Sequence, residues 1–242
     1  MAVVDAPAKL TLSLCITGVR HDGYHLIDAE MVSLVLADTL EIEDAPSISI
    51  EVDGPFAAGV PVDRTNLVVR ALETAGRTAR VRITKNVPNG GGLGGGSSDA
   101  AAALRWAGFT GAEAASRLGA DIPFCLVGGR ARVTGIGENV QPLPFEPRDI
   151  TLVVPPLHVS TPAVYARWDA MGGPRHPSGN DLTGAAMAVE PRLAQWRDRI
   201  TAAAGTEPLL AGSGATWFLH GHHPGIAGSL DGAVVITTST RP

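Results

Sequence analysis

The sequence predicts an α+β fold, and three observations carry that prediction. Several segments alternate apolar and polar residues with period two, as half-exposed antiparallel strands do. Segments of helical length, with their own start and stop signals, lie between them. Turns rich in glycine, proline, asparagine and aspartate separate the two kinds, with no internal repeat and no low-complexity tail. At 242 residues the chain makes one large domain or two small ones and can bury a substantial core.

Residues 8–17, AKLTLSLCIT, predict the first strand. Leu10, Leu12, Leu14 and Ile16 share one face, and Lys9, Thr11, Ser13 and Cys15 share the other. Asp22-Gly23 marks a turn, and strand-rich stretches follow over 31–43 and 47–52. RTNLVVRALETAG reads as a helix from about Asn66, stopped by Gly76. ARVRITK, residues 79–85, is a second half-exposed strand. A glycine loop then leads into an alanine-rich helix, which Ser97 or Ser98 is expected to cap and Gly108 to end. A capping box, Thr110 with Glu113, opens the next helix, and Gly119 closes it. ADIPFCLVGG is read as a turn and an apolar strand.

Three prolines within residues 142–148 suggest a linker or domain boundary, so that 1–148 and 149–242 are expected to be separate domains. ITLVVP opens the second part as a strand, and a proline-started helix follows Ser160-Thr161-Pro162. Residues 180–204 are mainly helical. LLAGSGATWFL reads as strand, tight glycine turn and strand, and GAVVITTS ends the chain as a strand.

Composition narrows the function classes. Apolar residues make up 45% and charged residues 18%, an ordinary globular balance, and the net charge of −5 argues against a nucleic-acid partner. No apolar run reaches the ~18 residues of a membrane helix, and the N-terminal stretch lacks a basic region, so a cytoplasmic protein with no membrane partner is expected. Cys15 and Cys125 form no metal pattern and are expected as reduced core thiols in strands. Of 19 basic residues only Lys9 and Lys85 are lysines, which singles out two places where a compact ammonium is wanted.

The stretch PNGGGLGGGSSDAAAAL, residues 88–104, holds six glycines between Gly90 and Gly96. Gly90, Gly92 and Gly95 match a dinucleotide fingerprint, but that motif needs a fully buried parallel strand before it, and the strand here alternates with Arg80, Arg82 and Thr84. A P-loop requires a lysine after the glycines, and none follows. A flexible linker rarely sits between a patterned strand and a helix. A glycine loop feeding a helix N-terminus suits a triphosphate, because glycine allows close backbone approach and the opening turn offers free N–H groups.

Three motifs, in order, extend this reading. PNGGGLGGGSSDAA resembles the phosphate-binding motif of the GHMP kinase superfamily, APAKLTL (residues 6–12) resembles its first motif, and GSGATWF (residues 212–218) its third. DGYH (residues 22–25), the doubled triple glycine and LGADIPF (residues 118–124) narrow the resemblance to those members that act on a cytidyl-diphospho-methylerythritol. The resemblance covers most of the chain, best over residues 5–140. It implies an N-terminal domain of ribosomal-protein-S5 type, a C-terminal ferredoxin-like domain and a site between them. It also implies transfer of the γ-phosphoryl of ATP, with Mg2+, to a tertiary hydroxyl in the non-mevalonate isoprenoid route. Homoserine and mevalonate kinases are the alternatives within the superfamily, and a non-catalytic nucleotide-binding module is the alternative outside it.

The resemblance assigns roles residue by residue. Asp121 would take or orient the proton of the attacking hydroxyl, and Lys9 would pair with it and stabilise developing charge. Pro88, Asn89, Gly90, Gly91, Gly92, Leu93, Gly94, Gly95, Gly96, Ser97 and Ser98 would hold the ATP phosphates, with Lys85 and Asn66 on the adenine side. Ser98 is a candidate magnesium contact, the ion otherwise arriving on ATP. Tyr24 and Tyr165 would sandwich the cytosine, and His25 would hydrogen-bond its edge. Thr161, Gly212 and Gly214 complete the substrate side. Thr11 stands where relatives usually carry asparagine. His220, His222 and His223 are read as a solvated loop. A monomer or weak homodimer is expected.

Overall fold

The structure, a computed structural model, describes residues 1–109 and 111–242. The first half runs β1 (Ala2–Val19), β2 (His25–Asp44), β3 (Ser49–Asp53), α1 (Leu67–Thr74), β4 (Ala79–Thr84), α2 (Gly95–Trp106), α3 (Ala112–Leu118), α4 (Ile122–Val127), β5 (Arg130–Gly135) and β6 (Asn139–Leu143). The second half runs β7 (Asp149–Val154), α5 (Thr161–Ala170), α6 (Thr183–Val189), α7 (Arg192–Ala204), β8 (Leu209–Leu210), β9 (Trp217–His220) and β10 (Val234–Arg241). The capping box read at Thr110 lies outside the described residues. No described helix is long and apolar enough to cross a membrane.

β2 is the axis of the sheet. It pairs antiparallel with β1 along almost its whole length, with β5 through Ile27–Val32 and with β4 through Thr39–Asp44. β3 joins β4 in parallel at one edge. β10 pairs antiparallel with β7 and then reaches β2 at Thr240 and Arg241, so the last strand ties the β7–β9 sheet to the one built on β2. α2 lies on β1 and β2. Its residues Ala100–Ala103 are fully buried, and side chains this small let the helix approach the sheet closely.

Three expectations need correction. β1 does not keep one apolar face. Register shifts between Pro7 and Lys9 and between Thr11 and Ser13 turn it over twice. Ala6, Leu14 and Ile16 therefore join one core cluster, while Ala8 and Leu10 join a second with Val32, Leu34, Val87 and Phe218. Residues 122–127 form helix α4 rather than a strand, so Cys125 is a buried helix residue. A short apolar run is ambiguous by periodicity alone, and Pro123 in the first turn suits a helix start. α2 begins at Gly95 behind Gly94, so neither Ser97 nor Ser98 caps it.

Candidate active site

Lys9 lies in β1 between its first two register shifts, and its N–H donates to the Leu93 carbonyl at 2.9 Å. That bond fastens the strand to the glycine loop. The Lys9 Nζ lies 3.2 Å from Asp121 Oδ2 and donates to Thr11 Oγ1 at 3.4 Å. Asp121 stands at the N-cap position of α4, yet its side chain makes no capping bond. Its carboxylate is instead held toward Lys9. The lysine side chain is 8% exposed and the aspartate 31%, so the pair opens to solvent on the carboxylate side.

The glycines do two kinds of work. Gly94 has φ +67°, and a Cβ there would lie 2.6 Å from Lys9 Cγ. Gly92 has φ +78° and packs backbone to backbone, its Cβ position lying 2.9 Å from the Gly214 carbonyl oxygen and 3.1 Å from that of Ala211. A Cβ on Gly91 would meet Thr216 Oγ1 at 2.7 Å, and the Thr216 N–H donates to the Gly91 carbonyl at 3.3 Å. Glycine at 91, 92 and 94 is thus demanded by the chain's own packing, with the 88–96 loop pressed between the 211–216 loop and Lys9. Because α2 has no side-chain cap, its first-turn N–H groups stay available to an anion.

Several assigned residues have other duties. Ser98 is buried and donates its hydroxyl to the Pro7 carbonyl at 2.6 Å; Ser97 is only half-buried. Asn66 is the N-cap of α1. Its Oδ1 accepts from the Val68 N–H at 2.8 Å and its Nδ2 donates to the Pro61 carbonyl at 2.7 Å. Lys85 is buried at 3% exposure, between Asp38 and Asp99 beneath the loop, rather than lining an open pocket. Among the described residues no group of three or more histidines, cysteines and carboxylates could hold a metal ion.

On the substrate side Thr11 and Gly212 come together, a Cβ on Gly212 lying 3.8 Å from Thr11 Oγ1. Thr161 and Ser213 share a hydroxyl–hydroxyl bond of 2.8 Å. Asn180, which sequence reasoning missed, donates to the Leu210 and Gly212 carbonyls at 2.9 and 2.8 Å and so shapes that loop. His25 faces Tyr165, with ring centroids 4.7 Å apart and a 39° tilt, and its Nε2 lies 2.8 Å from Asp169 Oδ1. Tyr24, which immediately precedes β2, is 60% exposed. Burial, with a smaller contribution from the Asp121 charge, pushes the Tyr165 hydroxyl up to about 12, so this ring lies within the field of the Lys9–Asp121 pair.

Comparison with known proteins agrees with this geometry. The family described as GHMP kinases N terminal domain matches residues 66–129, which include the glycine loop, α2 and Asp121. A 4-diphosphocytidyl-2-C-methyl-D-erythritol kinase of Paracoccus denitrificans is 41% identical over 88% of this chain and 84% of its own length. One from Ruegeria pomeroyi is 39% identical over 88% of this chain and 86% of its own. A crystal structure of 4-(cytidine 5'-diphospho)-2C-methyl-D-erythritol kinase superposes with a TM-score of 0.81 at 32% identity, covering both chains completely. The chain therefore belongs to the 4-diphosphocytidyl-2-C-methyl-D-erythritol kinase family of the GHMP kinases.

Proposed function

We propose that this protein transfers the γ-phosphoryl group of ATP to the tertiary 2-hydroxyl of 4-diphosphocytidyl-2-C-methyl-D-erythritol. The observation that carries the reading is the Lys9–Asp121 pair at 3.2 Å, joined to the glycine loop through the Lys9–Leu93 backbone bond. Asp121 accepts the proton of the attacking hydroxyl, and Lys9 holds that carboxylate in place and offsets charge on the oxygens in transfer. The free N–H groups at the start of α2 and the loop backbone take the phosphates. Magnesium enters as part of the nucleotide substrate. In this reading residues 1–148 carry the nucleotide loop and the catalytic pair, while 149–242 supply Thr161 and Tyr165 to the facing wall.

The test is ATP consumption with the cytidyl substrate alongside homoserine and mevalonate. Turnover is expected with the first alone; turnover confined to either rival would overturn the substrate assignment. A narrower prediction concerns the base. Stacking on one aromatic ring contributes about 1–3 kcal/mol. Tyr165→Ala should therefore raise KM for the cytidyl substrate about tenfold or more, with KM for ATP unchanged. An unchanged substrate KM in steady-state kinetics would place the cytosine elsewhere.

A further inference from the structure

Three buried ionisable groups under the glycine loop have no part in the chemistry above. Asp38, Lys85 and Asp99 have side-chain exposures of 0%, 3% and 4%. Lys85 Nζ donates to Asp38 Oδ2, and to Asp99 Oδ2 at 2.6 Å. Asp38 Oδ1 accepts the N–H groups of Asn86 at 2.5 Å and Val87 at 2.7 Å, the residues that lead into the loop. Asp99 is the fifth residue of α2, which leads out of it. Gly95, the first residue of that helix, lies over the cluster, its Cβ position 3.3 Å from Lys85 Nζ and 3.4 Å from Asp38 Oδ2. One cluster therefore holds both ends of the loop, residues 88–94, whose middle packs against Lys9 and the 211–216 loop.

Stability alone does not call for this arrangement. Buried ion pairs are commonly no more stabilising than apolar residues of the same volume. Two carboxylates against one ammonium also leave an odd charge, and Asp99 Oδ1 has no hydrogen-bond partner among the described residues. We infer that Asp38, Lys85 and Asp99 are positioning residues for the nucleotide: they fix both ends of the phosphate loop. The inference rests on the ATP reading of the loop.

The experiment is calorimetric titration of the full chain with magnesium ATP on wild type, Asp38→Asn and Asp99→Asn, with steady-state kinetics and thermal melts of each. Asp38→Asn, which weakens the hold on Lys85 and on the Asn86 and Val87 N–H groups, should bind ATP about tenfold more weakly with KM for the cytidyl substrate unchanged. Asp99→Asn, which weakens the hold on Lys85 from the helix side, should also bind ATP more weakly with KM for the cytidyl substrate unchanged. Normal ATP affinity in a folded Asp38→Asn would overturn the inference, as would equal rises of KM for both substrates. If Asp38→Asn does not fold, the ATP affinity of Asp99→Asn decides. A wild-type chain that binds no ATP overturns the ATP reading and the inference with it; wild-type binding with unaltered variants overturns the inference alone.

Discussion

Asp121→Asn is expected to lower turnover by about 10³-fold while ATP still binds. That loss corresponds to about 4 kcal/mol of transition-state stabilisation. The substitution keeps size and leaves an amide oxygen that can still accept from Lys9, so the geometry at 3.2 Å survives in outline. What it removes is a base able to take the hydroxyl proton. The side chain caps no helix, so α4 should not unravel. Lys9 retains its bond to Thr11 and its backbone tie to Leu93. Single-turnover kinetics with a parallel ATP titration would separate the two effects. Turnover within about tenfold of wild type would remove Asp121 from the proton transfer and leave Lys9 and the loop to act by positioning alone.

Gly92→Ala should damage both stability and nucleotide binding. A residue with a Cβ at φ +78° is strained by about 1–3 kcal/mol. Here the added carbon also meets two backbone carbonyl oxygens, of Gly214 at 2.9 Å and Ala211 at 3.1 Å, which cannot rotate away as a flexible side chain would. The loops must part, and the 88–96 segment then moves relative to Lys9. A drop in Tm of about 4–8 °C is expected for some 2 kcal/mol in a chain of this size, with ATP affinity reduced by at least about tenfold. Gly228→Ala is the control, since nothing lies within 4 Å of its Cβ position and its φ lies outside the left-handed range. Equal melting temperatures for the two variants would show that the close packing at Gly92 is not a constraint.

Sequence reading located the glycine loop and Lys9–Asp121 through motif order, because each motif needs residue types at fixed local spacing. The helix starts at Asn66 and Ser160 were legible for the same reason: a polar side chain followed by a helical pattern is a local signal, and in the structure both side chains cap their helices. The Asp38–Lys85–Asp99 cluster was missed, although a signal was present. Asp38 shares the inward row of β2 with Leu40 and Ile42, and Lys85 continues the inward row of Val81 and Ile83. Two inward charges of opposite sign on neighbouring strands are a pairing signal, but only to a reader who knows that β2 and β4 are neighbours.

The sequence by itself determined the α+β class, the order of the motifs and the residue types that can carry phosphoryl transfer, because periodicity and motif spacing are short-range properties. Only the tertiary structure decided where those residues point. The bulges of β1 turn its faces over twice and so settle which core Leu10 enters. The six-residue run after Asp121 becomes a helix because its packing, not its pattern, chooses between two allowed conformations. The glycines at 91, 92 and 94 are required by chain segments far away in sequence. Lys85 is buried between two carboxylates that distant elements bring to it. Contacts of this kind depend on how strands and helices stack, and no single segment encodes its neighbours.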